Sequence, residues 1–473
     1  MRGSWAAALL LLVAACAVPA PMPSPEPTPT PGPLQRATSP PAQSPAPSPT
    51  APSPTIPSPT APRQRLPVVL AVHATHPVLD VDLAAARAVV ERRADRLTAG
   101  GVRFTVAGLD RVRTDRSAVA AVPATEVDET VRVLTVDGRH PLRDPARYPL
   151  TAASDRPVGE VTTITIAGDL MLARRVAAAH RDDPAATLRP YAKRLAGAEI
   201  TVGNLESTLS TDGEPTQGDD SFGADPAVLD GLRLAGFDLL SLANNHIGDY
   251  GRAAMLQTFR ELDAAKIDYV GAGRDLDRAR RPVVITDGAV RIGFLGTESI
   301  GETPAATNRR PGTNRLNMPP RTGPLDRRAL DRIAGDIRAL SERVDLVIVI
   351  PHWGTQYTHV AEPSQRTAAR AFAEAGADLI IGGHPHWVQG WEPLGDATVV
   401  HSLGNFVFDM DFQTKTNEGV FLEIVAWDGE VRAVEPVPYV IDDRFIPGPA
   451  SPARARSILA DIAEHSRGPY ARP

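Results

Sequence analysis

From about residue 160 onward the chain alternates short apolar runs with stretches of helical periodicity, and most of the apolar runs end in a polar motif. Thr162 to Ala167 alternates β-branched residues and reads as a strand closed by Gly168-Asp169-Leu170-Met171, with a helix from Leu170 to Ala179. Ala198 to Val202 is the next strand, closed by Gly203-Asn204-Leu205-Glu206. A helix over Pro226 to Leu234, stopped by Gly236, leads to the strand Phe237 to Leu242 and to Asn244-Asn245-His246. A helix over Arg252 to Ala265 and a strand at Tyr269-Val270 follow. Pro282 to Ile285 and Val290 to Leu295 read as an antiparallel pair across Asp287-Gly288-Ala289. After a helix over Asp326 to Glu342, Val344 to Ile350 is apolar enough for a central parallel strand and ends Pro351-His352-Trp353-Gly354. A helix over Pro363 to Ala375 precedes the strand Ala377 to Ile381, which ends Gly382-Gly383-His384-Pro385-His386. Thr416 to Pro438 reads as two terminal strands around Asp428-Gly429. Such alternation predicts an α/β fold with its strand ends on one sheet edge.

Those ends carry the candidate chemistry. In extended backbone, imidazoles at i and i+2 point the same way, and Pro385 restrains His384. Two rigid imidazoles suit a divalent transition metal, although a turn with backbone-capping histidines explains the same five residues. Asp169 alone is explained equally well as a helix cap. The repetition carries the argument: five strands end in Asp, Glu, Asn-His, His or His-x-His. Mixed oxygen and nitrogen donors favour Mn, Fe or Zn, as one ion or two, over calcium. The loop 301–324 bears Arg309, Arg310, Arg315 and Arg321, a cluster able to meet an anionic substrate or to stand solvated.

The N-terminal third has other characters. Arg2 precedes an apolar run from Trp5 to Val13, too short to span a bilayer, and Leu12-Val13-Ala14-Ala15-Cys16 follows. Small residues before a cysteine resemble the bacterial lipoprotein signal, which would leave Cys16 lipidated and the protein outside the cell membrane; an ordinary secretory signal is the alternative. Cys16 is the one cysteine, so no internal disulfide is expected. Residues 17–65 form a linker rich in Pro, Ser and Thr, polyproline-II-like and without a core. Residues 66–155 read as a small α/β segment resembling part of a solute-binding domain. It has strands at Leu66 to Val72, Val102 to Val106 and Val131 to Val136, and a helix over Asp82 to Leu97 capped by Asp80 or Asp82. His73, His76 and His140 lack metal-ligand spacing and are expected at the surface. A net charge of −6 and the absence of a basic motif argue against nucleic acid.

In order along the chain, Gly168-Asp169, Asn204-Leu205-Glu206, Asn244-Asn245-His246, His352-Trp353-Gly354, Gly383-His384-Pro385-His386 and Ser402-Leu403-Gly404-Asn405-Phe406 closely resemble the CapA family of capsule or poly-γ-glutamate synthesis proteins. The resemblance implies a calcineurin-like metallophosphoesterase fold over about 156–445, with two facing mixed sheets flanked by helices; residues 446–473 are expected to form a C-terminal helix and tail. It implies Asp169, Glu206, Asn245, His352, His384 and His386 as metal ligands, with Glu206 placed to bridge. It also implies His246 as the proton donor. Apart from the resemblance, Asn204, Asn244, Arg309 and Arg310 are the candidates to meet substrate. The wider phosphoesterase motif is Asp-x-His, whereas Leu170 and Met171 follow Asp169 here, and Glu206 stands where aspartate is usual. One metal therefore has fewer ligands. The implied activity is hydrolysis of a phosphoester or of an anionic polymer. The alternative is a lipid-anchored, non-enzymatic component that holds polymer or supports a membrane synthase.

Overall fold

The computed structural model describes residues 64–155 and 158–473. The leader, Cys16 and nearly all of the linker lie outside the described residues. Two mixed sheets form the body. The first runs in the order Asp268–Val270, Leu239–Ser241, Ile200–Leu205, Val161–Leu170, Glu418–Trp427, Glu430–Ile441 and Pro447–Pro449. Its first four strands are parallel, and Asn405–Val407 adds to the end of Val161–Leu170. The second runs Val283–Asp287, Val290–Glu298, Leu346–His352, Leu379–Ile381, Ala397–Val400 and Trp391–Leu394, with a parallel centre and an antiparallel strand at each edge.

Strand composition explains the stacking. Ile164, Ile166 and Val202 from the first sheet share one apolar core with Phe294, Ile348 and Leu379 from the second. Side chains of this size contribute roughly 1.5–3 kcal/mol each on full burial. The outer faces are covered as well, so Leu346–His352 is buried along its whole length, which its nearly unbroken apolar run requires. Over it lie the helices Arg327–Ser341 and Pro363–Glu374. The first is started by Asp326, which accepts the Ala329 amide at 3.1 Å, and turns Ala329, Ile333, Ile337 and Leu340 inward. In the second, Gln365 accepts the Glu362 amide at 2.7 Å, and Pro363 sits in the first turn. This is the two-sheet sandwich the sequence led us to expect.

Three expectations are corrected. Asp169 is not a helix cap: the strand Val161–Leu170 continues through it, because Asp169 pairs with Asn204 on one side and Asn405 on the other. The following helix is only Arg174–Ala179. The helix predicted over Asp82 to Leu97 is Leu83–Val90, capped by Asp82; beyond it the chain takes a positive φ at Arg92 and returns as the strand Arg96–Ala99, burying Leu97 and Ala99 in alternation. His73 and His76 are buried, and His140 is largely so, because each ring has a partner: Thr75 at 2.8 Å, the Arg116 carbonyl at 2.8 Å and Glu435 at 3.2 Å.

Residues 64–155 form a mostly antiparallel sheet around Gln64–His73. It packs on the hairpin Glu418–Trp427 and Glu430–Ile441 through a shared core containing Leu66, Val69, Val425 and Trp427. Trp427 Nε1 donates to the Leu142 carbonyl at 2.9 Å, and Arg132 donates to that of Val434 at 3.1 Å. The segment is thus a brace on the main sheet rather than a free lobe. The helix Pro452–His465 follows the last strand of the first sheet.

Candidate metal centre

The strand ends meet. Asp169 Oδ1 accepts from Asn204 Nδ2 at 2.8 Å, and Oδ2 accepts the backbone N–H of His384 at 3.0 Å. Asn245 Oδ1 lies 3.0 Å from His352 Nε2. That nitrogen is also 3.1 Å from Glu206 Oε1, without the alignment of a hydrogen bond. The rings of His352 and His384 are 4.9 Å apart, and those of His384 and His386 are 5.7 Å apart. His386 Nδ1 sits 4.0 Å from Asp169 Oδ2 and donates to Asn405 Oδ1 at 2.8 Å, leaving Nε2 as the lone-pair nitrogen.

The histidine pair is aimed differently from the extended geometry read in the sequence. His384 has φ of 94° and His386 φ of 58°, a region costing about 1–3 kcal/mol for a non-glycine residue. Gly383 is required for close approach: a Cβ there would lie 2.5 Å from Asp169 Oδ1.

The electrostatics fit a cation. Among the described residues, both oxygens of Glu206 and both ring nitrogens of His384 are buried without a hydrogen-bond partner, an expensive arrangement for a closed protein interior. Glu206, His384 and His386 each offer a ligand atom, all within 4.8 Å of one another. Burial, reinforced by the charge of Glu206, pushes the Asp169 carboxyl up to about 7; burial likewise pushes Glu206 up to about 7. Burial lowers His352, carries His384 well below the usual imidazole range, and brings His386 down to about 3. Neutral imidazoles and carboxyls short of positive charge are the donor set of a divalent transition metal.

His246 stands beside this cluster. Its Nδ1 is 2.8 Å from Asp249 Oδ2, and its ring stacks on Phe222 at 3.7 Å. Asp249 is held in turn by the Phe222 amide at 2.7 Å and by Gln217 Nε2 at 2.5 Å. Asp249 was missed in the sequence; its signal was the His246-x-x-Asp249 spacing, which places both side chains on one turn. Arg174 was missed too. Its guanidinium lies 4.4 Å from the centre of the same Phe222 ring and pairs with Asp409 and with Asp220.

The four residues expected to meet substrate are placed otherwise. Asn204 and Asn244 are buried, and their amides are engaged within the protein. Asn244 Nδ2 donates to Asn204 Oδ1 at 3.0 Å and to the Leu205 carbonyl at 2.8 Å, while its Oδ1 accepts the His246 amide at 3.1 Å. They position Asp169 and His246. Arg309 and Arg310 are exposed on the turn Thr307–Arg310, and no side-chain contact ties them to the centre. Elsewhere in that loop, Arg315 is paired with Glu298 and Arg321 with Glu302.

The fold and the centre together define an α/β sandwich whose strand ends converge on a buried carboxylate–imidazole–amide cluster fitted to a divalent metal. The model of the family described as bacterial capsule synthesis protein PGA_cap matches residues 163–410, which hold every member of that cluster. The chain belongs to this family. The "Capsule biosynthesis protein CapA" of Bacillus anthracis is 31% identical over 290 residues, covering 60% of this chain and 68% of that one. The "PGA biosynthesis protein CapA" of Bacillus subtilis (strain 168) is 29% identical over 269 residues, covering 56% and 67%. Among solved structures, the NAD nucleotidase of Haemophilus influenzae aligns with a TM-score of 0.35 at 11% identity, covering 66% of this chain and 57% of that one.

Proposed function

We propose that the chain is a metal-dependent hydrolase of capsule or poly-γ-glutamate synthesis, acting on a phosphoester or an anionic polymer at the cell envelope. The observation that carries this reading is the buried, unpartnered set Glu206 and His384 lying beside the His246–Asp249 pair. Asp169, Glu206, Asn245, His352, His384 and His386 would hold one or two ions of Mn, Fe or Zn. A bound divalent ion supplies Lewis-acid polarisation of a substrate oxygen and lowers the pKa of water.

The chain's own residues do the rest. Asp249 accepts a hydrogen bond from Nδ1–H of His246, which fixes the ring; the doubly protonated ring would pass its Nε2 proton to the leaving group and be left as the neutral Nδ1–H tautomer. Phe222 covers one face of the imidazole and keeps it from turning. Asn244 holds the backbone of His246 through its own side chain. The test is turnover of a generic phosphodiester and of oligo-γ-glutamate by metal-loaded full-length protein. Activity on either substrate that is lost in His246→Ala while metal stays bound supports the proposal; bound metal with no turnover on both rejects it.

One observation favours a second reading. Leu170 and Met171, where the wider phosphoesterase motif reaches its histidine, are fully buried in the apolar core and offer no imidazole. A centre with fewer ligands suits a metal that shapes a polymer-holding surface in support of a synthase. Lipidation at Cys16, with the linker as tether, would hold either version outside the cell membrane. Radiolabelled acyl-chain incorporation into wild type but not Cys16→Ser tests that part.

A further inference from the structure

A cavity of about 520 Å³ lies between the N-terminal sheet and the helix Pro452–His465. That is within the range of small-ligand sites. Its walls are apolar, from Leu79, Val102, Pro452 and Leu459. Three arginines are among its lining residues: Arg116, Arg456 and Arg472.

No carboxylate answers these arginines, and the three meet around one apolar-walled cavity. Among the described residues, none of the three makes an ion pair, whereas their neighbours do. Arg111 pairs with Asp115, and Arg113 with Asp110 and Asp128. On the C-terminal helix and just past it, Arg454 pairs with Glu418 and Arg467 with Glu392. The three arginines along this cavity are among the cations that no acidic side chain neutralises. Arg116 and Arg472 also oppose one another: burial and the charge of Arg472 both lower the Arg116 guanidinium. The geometry is anchored from below, since buried His76 meets the Arg116 carbonyl through Nε2 at 2.8 Å and sets its ring edge-on to Phe104 at 5.2 Å.

We propose that this cavity is a binding site for a small oligoanion, carrying two or more carboxylate or phosphate groups on a short hydrocarbon frame. Guanidinium forks take the anionic groups, and the apolar walls take the frame. Such a ligand offsets all three like charges at once. The site is separate from the metal centre and does not rest on the hydrolase reading.

Calorimetric titration of the full-length protein tests it, with tri-γ-glutamate as the carboxylate probe and tripolyphosphate as the phosphate probe. At least one is expected to bind with Kd below about 1 mM, more weakly as salt rises. The double variant Arg456→Ala/Arg472→Ala, both exposed and so without a packing role, is expected to lose about tenfold or more. Arg309→Ala, remote from the cavity, is expected to bind as wild type, as is His384→Ala, which isolates this site from the metal centre. Wild type that binds neither probe below about 10 mM overturns the proposal. So does a double variant that binds like wild type, or binding that disappears with His384.

Discussion

The backbone N–H of His384 donates to Asp169 Oδ2 at 3.0 Å, joining two strand ends that lie 215 residues apart in the chain. With Asn204 on its other oxygen, the Asp169 carboxylate is pinned between the two sheets. A residue at 383 with a side chain cannot keep that arrangement, since its Cβ would stand 2.5 Å from Asp169 Oδ1. Gly383→Ala is therefore expected to weaken metal binding by about tenfold or more and to lower stability by about 1–3 kcal/mol. Metal titration and thermal denaturation check the two effects separately.

His246 and Asp249 separate binding from turnover. His246→Ala is expected to lower kcat by about 100-fold or more while bound metal is unchanged. Asp249→Asn is expected to act in the same direction, because an amide in place of the carboxylate no longer holds the proton at Nδ1. Steady-state kinetics beside metal analysis of each variant checks both.

Removing metal is expected to destabilise the whole body, because an ion that binds only the folded chain stabilises by RT ln(1 + [L]/Kd), about 2.7 kcal/mol at a hundredfold excess over Kd. Chelation should lower the melting temperature of wild type and leave Glu206→Gln/His384→Ala nearly unmoved. Scanning calorimetry with and without chelator measures the difference.

Glu435 predicts an acid response at the junction with the N-terminal sheet. Burial alone would raise this carboxyl, but His140, Arg132 and Arg143 overcome it and hold it down to about 2. The folded value lies below the unfolded one. The carboxylate's contribution is therefore complete above the ordinary glutamate range and is lost as pH falls from about 4.5 toward 2. The size is on the order of 3 kcal/mol. Glu435→Gln is expected to be less stable by that order at neutral pH and to show a flatter stability curve over the acid window. Urea denaturation across pH reads both.

The central strands were legible because an apolar run that ends in Asp, Glu, Asn or His combines two signals: burial along its length and a polar end where a parallel sheet exposes its edge. Leu346–His352 carried both. The left-handed backbone at His384 and His386 was not legible, since neither residue type announces a positive φ. Asp249 was hidden inside a turn whose purpose depends on Phe222, far off in sequence. His73 and His76 read as surface residues because the groups that satisfy them, Thr75 and the Arg116 carbonyl, are ordinary loop atoms. Arginine density made Arg309 and Arg310 stand out, yet only a tertiary structure reveals that Arg315 and Arg321 are neutralised and that Arg116, Arg456 and Arg472 are not.

The most direct measurement is metal content after loading the full-length chain with Mn, Fe or Zn and removing free ion. Wild type is expected to retain at least about one equivalent. Glu206→Gln/His384→Ala should retain its circular dichroism and almost none of the metal. Wild type that holds none of the three ions, or a double variant that holds as much as wild type, would contradict a cation shared by these strand ends.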